Sequence, residues 1–127
     1  MNGKKKVLVV DDEAFVREIV KVRLKLHGIE IIEGTNGLEA IEKAIKEKPD
    51  LILLDVMMPK MNGFEACEKL RSNPVTCHIP IMMLTARGEQ MDKERGQRMG
   101  AVKYLTKPFS PQKLAEQVIE IIENAAV

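Results

Sequence analysis

Cysteines are scarce in this sequence, and it contains no long apolar run. Cys67 and Cys77 are the two cysteines among 127 residues, and their spacing matches no metal site. The first residues are too poor in apolar side chains for a signal peptide, so we expect two reduced thiols that serve as small packing residues in a cytoplasmic protein. No apolar stretch approaches the roughly 20 residues of a membrane helix, so we expect no membrane insertion.

An excess of charge is also absent. The sequence has 20 basic and 19 acidic residues, which gives a net charge of +1. This balance argues against a general nucleic-acid binder, and we expect no direct nucleic-acid binding. Hydrophobic residues make up 45% of the chain, which indicates a globular protein. The length suits one domain over residues 1–127.

Short apolar runs alternate with helical patterns along the chain. The runs that precede Asp11 and Asp55 are rich in valine and leucine, as is typical of strands buried on both faces. Asn36, with Glu39 three residues later, predicts a capping box, and Ser110 predicts the N-cap of the last helix. The predicted strands cover residues 7–10, 29–33, 51–54, 79–84 and 101–105. The predicted helices cover residues 13–26, 38–46, 64–71, 89–99 and a segment after Pro111.

This alternation predicts an α/β fold with a parallel sheet covered by helices on both faces. Five strands in one domain suit the flavodoxin-like, doubly wound order 2-1-3-4-5. In that order the first and third strands are neighbours at the topological switch point. Ligands bind there, outside the carboxyl ends of the strands.

Polar residues follow four of the predicted strands at that edge. Asp11 and Asp12 follow the first strand, Asp55 the third, Thr85 the fourth and Lys107 the fifth. Because the carboxyl ends of parallel strands lie on one edge of the sheet, we expect these five side chains to converge.

Asp11 and Asp12 have a modest alternative role, because either would also suit the N-cap of the first helix. A cap contributes about 1 kcal/mol. Two carboxylates about 4 Å apart would repel each other by roughly 4 kcal/mol at an effective dielectric constant near 20. Such a cluster must raise its pKa values, take up counterions or bind a metal. Carboxylate oxygens suit a hard cation, so we expect Mg²⁺.

A set of short motifs extends from the first strand to the segment after the fifth. The motifs are Asp11-Asp12-Glu13, Leu54-Asp55-Val56-Met57-Met58-Pro59, Asn62-Gly63, Leu84-Thr85-Ala86, Gly100-Ala101 and Tyr104-Leu105-Thr106-Lys107-Pro108-Phe109. In order and spacing the chain resembles the receiver domain of two-component response regulators, and its size is similar to that of single-domain chemotaxis regulators.

The resemblance implies a phosphoacceptor site at Asp55. A sensor histidine kinase would donate the phosphoryl group from a phosphohistidine, giving an acyl phosphate. Asp12, Asp55 and the backbone carbonyl of Met57 would ligate Mg²⁺, and Asp11 would hold the ion mainly through water. The domain would not be an enzyme in the usual sense, because it would catalyse only its own phosphorylation and dephosphorylation.

The resemblance also implies a switch. Lys107 would pair with the phosphoryl oxygens, and Thr85 would donate a hydrogen bond to one of them. Tyr104 would then fill the space that Thr85 leaves, although a half-buried strand aromatic is the plainer interpretation. The peptide bond between Lys107 and Pro108 is typically cis in this family, and Phe109 is expected to pack. A downstream protein or a second copy would bind the face formed by the helix over residues 89–99, the fifth strand and the last helix.

Two other function classes fit the predicted fold. A flavodoxin-like flavin or nucleotide carrier needs a Gly/Ser/Thr loop after the first strand, where Asp11, Asp12 and Glu13 would repel a phosphate. An aspartyl-phosphate hydrolase of the haloacid dehalogenase kind needs a second aspartate two residues after the nucleophile. Met57 occupies that position here.

Overall fold

The described part of the chain forms a five-stranded parallel sheet. The computed structural model describes residues 4–58, 60–85 and 100–125. The strands are β1 (Lys6–Val10), β2 (Glu30–Gly34), β3 (Leu51–Asp55), β4 (Ile81–Thr85) and β5 (Lys103–Thr106). Their spatial order is β2-β1-β3-β4-β5, and every pair is parallel. The predicted fold class and strand order are confirmed.

Four helices are described within these residues: α1 (Ala14–Lys25), α2 (Gly37–Glu47), α3 (Gly63–Ser72) and α4 (Pro111–Ala125). The helix predicted over residues 89–99 lies outside the described part. None of the helices in residues 4–58, 60–85 and 100–125 is both long and apolar enough to cross a membrane.

The last two strands begin later than predicted. β4 begins at Ile81 rather than at residue 79, because the Ile79 amide donates to the Thr76 carbonyl at 3.0 Å and so closes a turn. β5 begins at Lys103 rather than at residue 101, after Gly100 with its positive φ of 96°. Apolar residues in these approach segments extend the strand pattern in the sequence. Inter-strand hydrogen bonds also continue there, since the Val102 amide donates to the Ile81 carbonyl at 2.9 Å and the Ile52 amide to the Pro80 carbonyl at 3.0 Å.

Polar side chains cap α2, α3 and α4, and Ser110 caps α4 as predicted, because its Oγ accepts from the Lys113 amide at 3.2 Å. Asn36 accepts a hydrogen bond from the Glu39 amide at 2.9 Å and caps α2 as predicted. The reciprocal half of that capping box was predicted wrongly, because the Glu39 carboxylate accepts from the Thr35 amide at 2.7 Å. The complete capping box belongs to α3, between Asn62 and Glu65.

Two hydrophobic clusters cover the two faces of the sheet. Helices α2 and α3 pack with alternate strand residues such as Leu8 and Leu54 on one face. On the other face α1 and α4 pack with residues such as Val9 and Leu53, and Phe109 packs there as expected. Burying a side chain of this size contributes about 1.5 to 3 kcal/mol. The buried central strands therefore hold the residues that follow them in defined positions.

The two cysteines have different environments. Cys67 lies in the cluster beneath α3 and is buried, as predicted for a packing residue. Cys77 is exposed, so the prediction that it packs was wrong. Its place in the turn between α3 and β4 directs it to the surface, and its sulfur lies 3.7 Å from the Pro74 carbonyl oxygen.

Candidate functional site

Three carboxylates meet at the carboxyl ends of β1 and β3. These two strands are paired in parallel, with Val10 opposite Leu54, so the residues that follow them are neighbours. Asp11, Asp12 and Asp55 each offer a carboxylate oxygen, and these oxygens all lie within 4.8 Å of one another. Asp11 is 0% exposed and Asp55 5%, whereas Asp12 is exposed.

Lys107 brings a positive charge to this cluster from the end of β5. Its backbone amide donates to the Thr85 carbonyl at 2.7 Å, which extends the β4–β5 ladder by one residue. Its Nζ atom lies 2.7 Å from Asp11 Oδ2, 3.4 Å from Glu13 Oε1 and 3.5 Å from Asp55 Oδ1. The peptide bond between Lys107 and Pro108 is cis, as the resemblance implied.

The acidic side chains do not cap α1. Glu13 occupies the N-cap position, and no side chain there accepts a capping hydrogen bond. Asp11 Oδ1 accepts instead from the Glu13 amide at 2.9 Å, in the turn that precedes the helix. The alternative that Asp11 or Asp12 caps the first helix was therefore wrong, and both carboxylates belong to the acidic cluster.

Burial and mutual repulsion change the proton affinities at the site. Burial of the Asp55 carboxyl raises its pKa to about 7, and the Asp11 charge adds to the rise while the Lys107 charge opposes it. Burial favours the neutral amine of Lys107, but the hydrogen bond to Asp11 and the charges of Asp55, Asp11 and Glu13 leave its pKa raised. The cluster thus holds a proton or a cation more readily than an isolated aspartate would.

Thr85 and Tyr104 face the same side of the sheet. Thr85 is paired with Thr106 and Met83 with Tyr104, so Tyr104 lies two residues before the partner of Thr85. Thr85 is 0% exposed, and its hydroxyl has no hydrogen-bond partner among the described residues. The Tyr104 ring is half-buried against the α2–α3 cluster, and its hydroxyl is likewise unpartnered there. Burial raises the pKa of the Tyr104 hydroxyl.

Met57 contributes its backbone to the site. Its amide donates to Asp55 Oδ1 at 3.3 Å, whereas its side chain is 68% exposed. The side chain thus stands at the rim, two residues beyond the central carboxylate.

Glu13 is a member of the site to which sequence reasoning assigned no role. Its carboxylate lies within ion-pair distance of Lys107, as given above. The sequence could have indicated this membership, because Glu13 directly follows Asp11 and Asp12 at the same edge of the sheet. Arg87, which also follows β4 closely in sequence, lies outside the described residues.

The donor set fits a small, hard divalent cation. Three carboxylates from two adjacent strands offer oxygen ligands alone, which is the donor chemistry that Mg²⁺ prefers. Asp12 is open to solvent, so an ion held there would keep access to water.

Comparison with models of protein families shows to which family the chain belongs. The model described as "Response regulator receiver domain" matches residues 7–119. The chain belongs to this family. A receiver domain is not an enzyme in the usual sense, and the flavin-carrier and hydrolase alternatives are set aside.

A curated relative of this receiver domain is the alkaline phosphatase synthesis transcriptional regulatory protein PhoP of Bacillus subtilis. It is 44% identical over 123 residues, which are 97% of this chain and 50% of the relative. The chain spans about half the length of the curated relatives it matches. Because this relative is named a transcriptional regulator, the expectation of no nucleic-acid binding finds no support in it.

Solved receiver domains have the same fold. Chemotaxis protein CheY4 of Vibrio cholerae is 36% identical, with a TM-score of 0.87 over 94% of this chain and 99% of that one. The receiver domain of a sensor histidine kinase from Pseudomonas aeruginosa is 26% identical, with a TM-score of 0.87 over 95% and 99% of the two chains. That structure has a magnesium ion coordinated in its active site cleft.

Proposed function

We propose that Asp55 receives a phosphoryl group from a phosphohistidine of a sensor kinase, in a reaction that depends on Mg²⁺. One observation carries this proposal: the nearly buried Asp55 carboxylate lies close to two further carboxylates and to an ammonium group. A metal ion on one side and a lysine on the other are the positive charges that phosphoryl transfer requires.

The reaction is a nucleophilic displacement at phosphorus. A carboxylate oxygen of Asp55 attacks the phosphorus atom, the bond between phosphorus and the histidine nitrogen breaks, and that nitrogen keeps the electron pair and takes up a proton. The amide of Met57 donates to Oδ1 and fixes the plane of the attacking group. Lys107, 3.5 Å from the same oxygen, is placed to pair with the transferred phosphoryl oxygens. The acyl phosphate is later hydrolysed in the same pocket.

Asp12, Asp55 and the Met57 carbonyl would hold Mg²⁺, and Asp11 would contact it through water. When bound, the ion neutralises charge on the phosphoryl oxygens. The assignment of Asp11 to an indirect role is supported by its own contacts, since its two carboxylate oxygens already accept from the Glu13 amide and from Lys107. Exposed Asp12 has no such commitment among the described contacts and is the natural direct ligand.

A bound cation would also favour the ionised form of Asp55, which is the nucleophile in this proposal. Because burial raises the pKa of Asp55 to about 7, protonation of this carboxyl competes with its ionised form near neutral pH when no metal is bound. A divalent cation beside it favours the carboxylate form. Metal binding and readiness for phosphoryl transfer are therefore coupled at one side chain.

Phosphorylation would act on Thr85 and Tyr104. The added group brings roughly −1.5 to −2 charges to one spot. The buried Thr85 hydroxyl, unpartnered among the described residues, is available to donate to a phosphoryl oxygen. Tyr104, on the same side of the sheet, would then move into the space beside Thr85 and change the output surface.

The partners that we propose are a sensor histidine kinase as donor and a downstream protein or a second copy as receiver of the signal. The output face includes edge strand β5 and the last helix, α4, and the 54% exposed Val102 leads into β5. All 127 residues act as one receiver domain in this proposal, and a cytoplasmic location stays a prediction.

Incubation with Mg²⁺ and acetyl phosphate, followed by intact mass measurement, tests the proposal. We expect wild-type protein to gain one phosphoryl group, and Asp55→Asn or a chelator to abolish the gain. Asp50→Asn is the matched control, because Asp50 directly precedes the same strand and caps the Lys6 amide at the opposite end. Loss of the gain in Asp50→Asn, or its persistence in Asp55→Asn, would contradict the assignment.

A further inference from the structure

Arg17 of α1 reaches back to the turn that carries the acidic cluster. Its Nη1 donates to the backbone carbonyl oxygen of Asp11 at 2.6 Å, and its Nε donates to Glu33 Oε1 at 3.0 Å. The Arg17 side chain is 14% exposed and the Glu33 side chain 36%. The guanidinium thus joins the end of β2 to the end of β1 beneath the site.

The contacted carbonyl belongs to the peptide unit that joins Asp11 to Asp12. Its orientation determines where the Asp12 Cα lies and in which direction the Asp12 carboxylate projects. The carbonyl precedes the first residue of α1, Ala14, by three positions, so the regular bonds of that helix do not include it. A side-chain donor therefore fixes this peptide unit.

The end of β2 holds Asp11 by both of its backbone groups. The Asp11 amide donates to the Gly34 carbonyl at 3.1 Å, and its carbonyl receives Arg17, which Glu33 orients. Gly34 therefore holds the Asp11 amide directly, and Glu33 holds the Asp11 carbonyl through the Arg17 guanidinium. Its two carboxylate oxygens are held as described above, so every polar atom of Asp11 is engaged.

Glu33 balances the charge of Arg17, so the pair contributes geometry rather than a free positive charge. Burial opposes ionisation of Glu33, but hydrogen bonds from Arg17 and Lys21 lower its pKa overall. Lys21 lies 3.2 Å from Glu33 Oε2, on the opposite carboxylate oxygen from Arg17. Lys21 shares the acid with Arg17, but its described ion pairs, with Glu33 and Glu18, are both outside the site.

We propose that Arg17, oriented by Glu33, is a positioning residue that fixes the Asp11–Asp12 peptide and so prearranges the carboxylates for Mg²⁺ and phosphoryl transfer. This inference rests on the proposed function. Arg17 does not touch the ion or the phosphoryl group; it acts through the backbone of Asp11. Arginine suits the position because its planar guanidinium donates through two nitrogens in a fixed geometry, whereas lysine donates from a single nitrogen on a flexible stem.

Magnesium affinity, measured calorimetrically on the folded, unphosphorylated chain, tests the proposal. We expect Arg17→Met to raise the Kd by about tenfold, the effect typical of residues that orient metal ligands. Glu33→Gln keeps an oxygen acceptor but removes the charge, so we expect a smaller rise. Lys21→Met is the matched control: it removes an ion pair with the same acid and should leave the Kd unchanged.

Hydrogen exchange of the Glu13 amide gives a readout that needs no metal. This amide donates to Asp11 Oδ1, so its protection reports the order of the turn. We expect faster exchange in Arg17→Met without Mg²⁺, at a temperature where Lys21→Met and the wild type retain protection. Should Arg17→Met fail to fold, Glu33→Gln carries both measurements.

The possible outcomes distinguish failure of the positioning role of Arg17 from failure of the proposed function. If the wild type takes up neither Mg²⁺ nor a phosphoryl group, the proposed function fails. If the wild type takes up both, and folded Arg17→Met matches it in Kd and exchange, only the positioning role fails. An equal loss in Arg17→Met and Lys21→Met would also overturn it, because the effect would then follow the surface ion pair rather than the Asp11 carbonyl.

Discussion

The ammonium group of Lys107 lies 2.7 Å from Asp11 Oδ2, although the two residues are 96 positions apart in the chain. This distance is shorter than the 3.5 Å from Nζ to Asp55 Oδ1. Because Asp11 is 0% exposed, its charge depends on protein partners rather than on water. Lys107 is therefore the counterion of Asp11 in the unphosphorylated protein.

Removal of this counterion should destabilise the fold. We expect Lys107→Met to lower the free energy of unfolding by about 2 to 3 kcal/mol at pH 7, somewhat less than for a fully buried pair, because Lys107 is 21% exposed. Urea denaturation provides the measurement. Asp11→Asn in the Lys107→Met background should restore part of the loss, since it removes the unpaired charge.

Lys21→Met is the control for Lys107→Met. It breaks the pairs of Lys21 with Glu18 and Glu33, which are more exposed than the pair of Lys107 with Asp11, so it should lower the free energy of unfolding less. A loss in Lys107→Met no larger than in Lys21→Met would show that the Asp11 charge is not held by this pair.

Because the pKa of Asp55 is raised, the free energy of unfolding should change with pH in a predictable direction. An unfolded aspartate has a pKa near 3.9, whereas the folded value is about 7. Between these values the folded chain binds a proton that the unfolded chain has lost, so stability falls as the pH rises from about 4 to 7. Asp55→Asn lacks this loss and should be more stable than the wild type at pH 8, by on the order of 4 kcal/mol.

Thermal or urea unfolding across this pH range, without metal, provides the test. The advantage of Asp55→Asn should shrink as the pH falls to 4 and below, because the wild-type carboxyl then becomes protonated in the unfolded state as well as in the folded state. Saturating Mg²⁺ should stabilise the wild type at pH 8 more than Asp55→Asn. An advantage that is constant with pH would assign the effect to packing instead of ionisation.

The sheet and the three-carboxylate edge were predictable because they follow from local patterns and from one topological rule. Apolar runs buried on both faces mark β1 and β3, and strand order alone places Asp11, Asp12 and Asp55 together. The N-cap at Asn36 was also readable, since it needs only the residue type and its spacing from Glu39.

The network beneath the site was not predictable. Arg17 meets Glu33 across 16 positions only because α1 packs beside β2, and no short pattern encodes that pairing. Sequence reasoning placed Glu39 on the Asn36 amide, but Thr35 supplied a competing amide one residue earlier. Such choices depend on distances of a few ångströms after packing, which residue spacing does not fix.

Replacing the Thr85 hydroxyl should separate stability from signalling. Thr85→Val has nearly the same shape and removes a buried hydroxyl that is unpartnered among the described residues. We expect the free energy of unfolding to stay level or rise by about 1 kcal/mol, while phosphoryl uptake from acetyl phosphate slows. Thr85→Ser, which retains the hydroxyl, should keep a rate near that of the wild type. A large loss of stability in Thr85→Val would reveal a partner for the hydroxyl.

Gly63 allows α3 to begin directly against the backbone of Asp55. A Cβ at Gly63 would lie 2.3 Å from the Asp55 carbonyl oxygen and 2.9 Å from the Val56 Cα, both backbone atoms that cannot rotate away. Gly63→Ala should therefore cost at least 2 kcal/mol, roughly the upper range of overpacking, and should slow phosphorylation. In Gly34→Ala, the control, the nearest atom is a Val10 methyl at 3.4 Å. Equal costs for the two variants would contradict this account.

The exposed Met57 side chain should influence how long the phosphoryl group persists. It stands at the rim two residues beyond Asp55, and an apolar group there gives an attacking water molecule no hydrogen bond. Asn at this position offers an amide that orients water, so Met57→Asn should dephosphorylate a few-fold faster. The backbone amide that donates to Asp55 is retained in every variant except proline.

Decay of the phosphorylated protein, followed by mass after removal of acetyl phosphate, measures this rate. Met57→Leu is the matched control, because it keeps an apolar side chain of similar volume and should decay like the wild type. A slower or unchanged rate in Met57→Asn would rule out control of water by this side chain. Faster decay in both variants would point to a packing role for methionine, since only asparagine adds a hydrogen-bonding group.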